Sequence, residues 1–148
     1  MYATTHLIIG AAAGMLTTDL ASGFIAGCAS HAVADMIPHH DYGSVGWGIV
    51  DVSLALGVFH WILKLGYGPP VLAAAISGVI PDLEVVWAYF HPDDYRPPNP
   101  KRRLFFPSHS GLLPHGKLDF PLGFIVQAII AALLLPVLGI CLVPSAVL

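Results

Sequence analysis

This chain is poor in charge. Only six Lys or Arg and nine Asp or Glu occur among 148 residues, while 56% of the chain is hydrophobic and the mean hydropathy is +0.76. That composition excludes an ordinary soluble globule, in which roughly a quarter of the residues are charged. Cysteine is scarce too. Cys28 and Cys141 each lie in an apolar segment with no second cysteine nearby, so they read as small core residues rather than a disulfide or a ligand pair. No basic stretch precedes the first apolar segment, and a cleaved secretory leader is not expected. Charge is absent altogether from Phe120 to Val143, a run of 24 residues long enough to cross a bilayer core of about 30 Å. The expectation is an integral membrane protein, all-α, in a single membrane domain of residues 1–148.

What is present divides that domain into about five apolar segments. The first runs from Tyr2 to Thr18, and Thr17-Thr18-Asp19 forms a turn able to cap the next helix. The second runs from Leu20 to Ile37, closing hairpin one (1–42). A third, from Val45 to Leu65, and a fourth, from Val71 to Phe90, form hairpin two (45–90) about the turn Gly66-Tyr67-Gly68-Pro69-Pro70. Ser77-Gly78 and Pro81 predict a kink or break in the fourth. A polar loop (91–117) carries six prolines, and a last helix (118–144) bends at Pro136. The first four segments are short for full spans, which suggests tilted or re-entrant helices.

Threading these segments through a membrane gathers the polar features on one side, with residues 38–44, the 91–117 loop and the N-terminal end. Arg96, Lys101, Arg102, Arg103 and Lys117 fall there, and only Lys64 on the other. The excess of Lys and Arg predicts that this side is cytoplasmic. On the far half only Thr17, Asp19, His60 and Gln127 stand out.

The densest chemistry lies in Ser30 to Asp41, twelve residues holding His31, His39, His40, Asp35 and Asp41. His31 and Asp35 are four apart and share a helix face; Pro38 ends that helix, so His39, His40 and Asp41 fall in the turn beyond it. Imidazole and carboxylate side by side suit a borderline metal ion, and ionisable groups in an apolar helix are usually functional. The alternative is a solvated helix end with a local His–Asp hydrogen bond. Gly10 and Gly14 on the first helix and Gly23 and Gly27 on the second form small-xxx-small pairs that permit close packing. Packed against each other, the two helices would bring His6 beside His31 and Asp35. In hairpin two, Asp51 comes level with Asp82, and Ile80-Pro81-Asp82-Leu83-Glu84 echoes Ile37-Pro38-His39-His40-Asp41, a pattern that suggests two pseudo-repeated hairpins. Asp51 also reads as a cap or an interfacial carboxylate.

The loop adds Ser108-His109-Ser110 and His115-Gly116-Lys117. His109 looks like a ligand or acid/base group lowered onto the site, and His115 reads equally as that or as a surface histidine. Lys101-Arg102-Arg103 reads as an anionic-lipid anchor or a guide for a phosphate-bearing substrate. His60 and His91 read as interfacial and loop residues. Cys28 has no activating partner and the serines beside His109 form no nucleophile elbow.

Thr5-His6-Leu7, Ile80-Pro81-Asp82-Leu83-Glu84, Ser108-His109-Ser110 and Ser30-His31-Ala32-Val33-Ala34-Asp35-Met36 together resemble the motifs of the bacterial membrane-bound metal-dependent hydrolases. The motif order differs here, and Glu84 stands where that family has a second Asp. The His-x-x-x-Asp element also looks like one in zinc-dependent phospholipase C, a likeness that favours phosphoester chemistry. The combined reading is a multi-pass cell-membrane protein with a metal site at its polar face, held by His6, His31, Asp35, Asp51, Asp82 and His109, with His39, Glu84 and His115 next in line. Mixed ligation suits one or two ions of Zn²⁺, or else Mn²⁺ or Fe²⁺. Glu84 or His115 would handle the proton, and Lys101, Arg102 and Arg103 the substrate. Membrane lipid and a lipid-linked phosphoester are the expected partners, and nucleic acid is not. The rival readings are a metal-ion carrier or sensor using the same ligands, and a metal-free polar scaffold.

Overall fold

Residues 1–95 and 103–140 of the chain are described in a computed structural model. Side-chain caps start two of its helices, and prolines open a third and precede a fourth. The first helix, α1, spans Ala3–Gly14 and the second, α2, Leu20–Met36. Asp19 caps α2 by accepting from the backbone of Ala21 and Ser22, and Ser22 closes a capping box on it. Ile37, extended ahead of Pro38, ends it. Helix α3 (Val45–Lys64) starts on the Ser44 hydroxyl, which accepts from the Trp47 N–H. Helix α4 (Pro69–Ser77) opens on two prolines, and the expected break follows at Gly78–Pro81, after which α5 runs Asp82–Phe90. A short α6 (Pro92–Tyr95) and a long α7 (Leu122–Ile140) complete the described helices, and α7 runs through Pro136. No strand occurs among the described residues. The last helix starts four residues later than expected, because Lys117 and Leu118 pair with His39 instead of entering the helix.

Three of these segments, Val45–Lys64, Pro69–Phe90 and Leu122–Gly139, are long and apolar enough to cross a membrane. Helix α1, at 12 residues, rises about 18 Å, so the five-segment expectation reduces to three candidate spans with two shorter helices among them. The surface is apolar in keeping with this: Trp47, Ile49, Leu54 and Leu56 of α3, Trp87 and Phe90 of α5, and Ile129 and Leu133 of α7 are all exposed. The interior, by contrast, holds His6, His31, Asp35, His39, Asp51, Ser77, Ser108 and Gln127 beside the aliphatic core of Leu7, Ile8, Ala55, Ile62 and Leu138. Apolar outside and polar within is the distribution a bilayer selects.

The glycine pairs do something other than expected. A Cβ on Gly10 or Gly27 would collide with the Ala74 carbonyl, one on Gly14 with Val71 and Ala74, and one on Gly23 with Pro70. Both glycine rows therefore face α4, which lies in the groove between α1 and α2. Ser77, at the end of α4, fixes the depth by donating to the Phe24 carbonyl (2.8 Å). Helix α3 packs mainly against α1 and only sparsely against α4. The second hairpin is thus no copy of the first, and the pseudo-repeat does not extend beyond the sequence motif.

Candidate metal centre

Lowering α4 into that groove ends it at Gly78, whose amide follows the last turn while its carbonyl meets His31: the Nδ1–H of His31 donates to Gly78 O at 2.7 Å. A carbonyl only accepts, so in the neutral ring Nε2 keeps its lone pair. The α1 register stacks His6 on His31, ring centroids 3.7 Å apart and planes 15° from parallel. Asp35, one turn beyond His31, and Asp82, in the first turn of α5, complete the helical part. His109 arrives from the 103–121 loop with its Nδ1–H donating to Glu84 Oε1 (2.8 Å), which again leaves Nε2 facing inward.

These atoms form one grouping of two triads joined at His31, His6–His31–Asp82 and His31–Asp35–His109. His6 Nε2 lies 3.1 Å from Asp35 Oδ1 and 3.9 Å from Asp82 Oδ2. His31 Nε2 lies 3.2 Å from Asp35 Oδ2 and 3.8 Å from Asp82 Oδ1; His109 Nε2 lies 3.3 and 3.6 Å from the same two atoms. The Nε2 atoms of His31 and His109 are themselves 3.3 Å apart, so two lone pairs would oppose each other across that gap. His6 Nε2, Asp35 Oδ1 and Asp82 Oδ2 are buried and have no hydrogen-bond partner. A tetrahedral ion with bonds of 2.0–2.1 Å separates its donors by about 3.4 Å, a value inside the 3.1–3.9 Å range of these donor pairs. The orphaned atoms, the facing lone pairs and the mixed imidazole–carboxylate chemistry fit a metal ion: these buried His and Asp groups could hold one.

A second grouping adjoins the first through Asp35, whose Oδ2 lies 3.8 Å from His115 Nδ1; Asp35, His39 and His115 also converge closely enough to hold an ion. The loop reaches α2's exit by backbone pairing, since Gly116 N–H donates to Asp35 O (2.8 Å) and Leu118 N–H to His39 O (2.7 Å). Outside the helices, burial pushes the Asp41 carboxyl upward, but His115, His39 and the Met1 ammonium together hold it well below the usual carboxylate range. At His109, burial disfavours the charged ring, yet Asp35 and Glu84 outweigh it and raise the pKa.

Of the residues singled out in the sequence, His6, His31, Asp35, Asp82 and His109 share the first grouping, and His39 and His115 the second. Asp51 joins neither. Its carboxylate accepts from the Thr4 N–H (3.3 Å) and the Tyr42 hydroxyl (2.7 Å), satisfying part of the open N-terminus of α1. The cap alternative is realised, but on a different helix. Glu84 accepts from the amides of Phe105 (2.6 Å) and Phe106 (2.9 Å) as well as from His109; it fastens the loop instead of standing free for a proton. Arg103 is exposed at the loop's start, and Lys101 and Arg102 lie outside the described residues, as do Arg96 and Cys141. Gln127, assigned to the far half, is buried at the site end, accepting from Tyr2 N–H (2.7 Å) and donating to His40 O (2.9 Å).

Sequence reasoning missed Asp41 and Ser108 as site residues. Asp41 had a signal: two residues past His39 in extended chain, it points to the same side. Ser108, whose hydroxyl donates to Asp35 Oδ2 at 2.6 Å, had only its place beside His109 in the Ser-His-Ser motif. Compared with known proteins, the chain matches no family model, no curated protein and no solved structure at a significant level.

Proposed function

We propose that this chain is a multi-pass membrane metalloenzyme that hydrolyses a lipid-linked phosphoester, its polar end facing the cytoplasm. The observation that carries the reading is the convergence of three imidazole nitrogens and two carboxylates, with orphaned atoms, inside an otherwise apolar helical bundle. His6, His31, Asp35, Asp82 and His109 would hold the ion, and such a donor set suits Zn²⁺, with Mn²⁺ and Fe²⁺ as alternatives. When bound, a divalent metal supplies a Lewis acid and renders water nucleophilic near neutral pH. The chain's own residues orient and shield: Gly78 O and Glu84 fix two ligand rings, and Phe106 lies edge-on to His31 at 5.1 Å. Asp82, with its side chain 21% exposed against 0–3% for the other four ligands, marks the open side.

The lipid part of the reading has its own support. Phe106 and Pro107 form one end of a groove of about 330 Å³ along α2, lined otherwise by Phe24, Ile25, Cys28, Ala29 and Ala32. It has nothing polar to offer and suits an acyl or isoprenoid tail whose phosphoester lies at the metal. The five basic residues that the sequence assigns to this side, Lys101 to Arg103 among them, suit an anionic headgroup, and the motif resemblance to membrane-bound metal-dependent hydrolases points the same way.

The test is reconstituted, metal-loaded protein incubated with phospholipids and isoprenoid phosphates, following release of phosphate or headgroup. Wild type should turn over at least one substrate, and Asp82→Asn should lose that turnover while remaining folded and inserted. Metallated protein that hydrolyses nothing, yet carries metal across proteoliposomes, would make it a carrier.

A further inference from the structure

Beside the first metal grouping lies a second set of donors that the proposed hydrolysis does not use. His39 is fully buried, and its Nδ1–H donates to Ile37 O at 2.7 Å, so the neutral ring presents the Nε2 lone pair inward. Asp41 Oδ1 stands 3.0 Å from that nitrogen, and Asp41 Oδ2 stands 3.4 Å from His115 Nε2. The two rings approach to 4.8 Å between centroids, inclined by 70°. Asp35 forms the inner wall. Its Oδ2 faces His31 and His109 on one side and His115 Nδ1 on the other.

Two carboxylates so placed require a cation between them, and one is already seated there. The Met1 ammonium lies 2.6 Å from His39 Nε2, 3.0 Å from Asp41 Oδ1 and 3.5 Å from Asp35 Oδ1. The ammonium is served by His39 Nε2 and the carboxylates, which leaves His115 over. His39, fixed by a backbone carbonyl with its other nitrogen aimed at a carboxylate-lined point, is held as a metal-binding histidine is. The loop that carries His115 is locked to the α2 exit by backbone bonds on both sides of it, from Gly116 to Asp35 and from Leu118 to His39. Gly116 approaches the Ile37–Pro38 backbone too closely for any side chain.

We infer that Asp35, His39 and His115 bind a second divalent transition-metal ion in place of the Met1 ammonium, with Asp41 beside it and Asp35 bridging it to the ion held by His6, His31, Asp82 and His109. The inference rests on the first site's being a metal site, and gives the proposed hydrolase a two-metal centre, in which paired ions stabilise both the attacking and the leaving oxygen of a phosphoester.

The probe is the metal alone. Full-length protein in detergent, stripped with chelator and titrated with Zn²⁺ and with Co²⁺, should take up two ions per chain, counted by elemental analysis and by the Co²⁺ visible spectrum. His115→Ala, on the loop and away from the helix contacts, should leave one ion and one spectral component; His39→Ala should do the same, and His31→Ala should remove the other component. Mn²⁺-loaded protein should give the exchange-coupled paramagnetic resonance signal of a carboxylate-bridged pair. A single ion in wild type, lost with His31→Ala and retained in His115→Ala, overturns the second site while leaving the first, with the ammonium as the second site's occupant. No ion at all overturns both readings. Two ions with uncoupled signals overturn the bridge.

Discussion

The site is assembled from two regions held in different ways. His6, His31, Asp35 and Asp82 stand on helices whose spacing is set by backbone contact: the glycine rows of α1 and α2 admit α4 so closely that a single methyl group at Gly10, Gly23 or Gly27 meets main-chain atoms. His109 and His115 stand on a loop with only one such contact, Gly116 against the Ile37–Pro38 backbone. It is held by a few directed hydrogen bonds, from Phe105, Phe106 and His109 to Glu84, from Ser108 to Asp35, and from Gly116 and Leu118 to the α2 exit. In the membrane that the proposed function implies, apolar burial does not distinguish helix from solvent, so close van der Waals contact must do the holding; where the loop meets the helix ends, hydrogen bonds to a carboxylate are strong enough to do it. Damage to the helical region should therefore unmake the protein, and damage to the loop should unmake only the centre.

The strongest way to break that contrast is at Gly27. Its Cβ would strike Ser77 Oγ and the Ala74 carbonyl, whereas a Cβ at Gly57 on α3 meets nothing within 4 Å. Gly27→Ala should destabilise the protein by about 1–3 kcal/mol or more, as overpacking does, and should carry metal binding down with it. Gly57→Ala, on the candidate span α3, should be neutral or slightly stabilising. Thermal unfolding in detergent reads both, and equal midpoints for the two variants would show that the glycine rows do not set the helix spacing.

The loop's counterpart is Glu84→Gln. The amide keeps an acceptor oxygen but loses the charge that draws His109 and two amides together. Loss of such an outer hydrogen bond costs about 10–100-fold in metal affinity. Competition with a chromophoric chelator should show that loss at an unchanged unfolding midpoint of the metal-free protein. A midpoint that falls as far as that of Gly27→Ala would mean the loop is part of the scaffold after all.

The same division explains what the sequence disclosed. Helical periodicity puts His31 and Asp35 on one face, and Pro38 and Pro81 mark the ends from which His39 and Asp82 reach the site; these are local facts, legible without a fold. The meeting of His6 with His31 was anticipated from the glycine rows, yet those rows serve α4, which no local pattern announces. Asp51 was visible as a costly carboxylate, but its partners, Thr4 on α1 and Tyr42, are 47 and 9 residues away. The second grouping depends on the parallel bridge between His39 and Lys117, a tertiary pairing of two short polar stretches with no periodicity to reveal it.

The finest test of the comparison is a single hydroxyl. Ser108 is 2% exposed and donates to Asp35 Oδ2 at 2.6 Å, the same oxygen that faces His31, His109 and His115. Its neighbour Ser110 is exposed and donates only to the Pro107 carbonyl, at 3.3 Å. Ser108→Ala leaves the carboxylate its other partners but frees it to turn, at a cost of about 1.5 kcal/mol for one hydrogen bond to a charged group, or roughly tenfold in affinity where that orientation is needed for binding. Ser110→Ala should change nothing. If the hydroxyl only fastens the loop, Ser108→Ala should raise the loop's protease sensitivity and leave metal affinity alone. If it orients the carboxylate shared by both groupings, affinity should fall roughly tenfold while cleavage of the loop in metal-free protein stays as in wild type, and this second result is the one expected, because the backbone bonds of Phe105, Phe106, Gly116 and Leu118 already hold the loop without it.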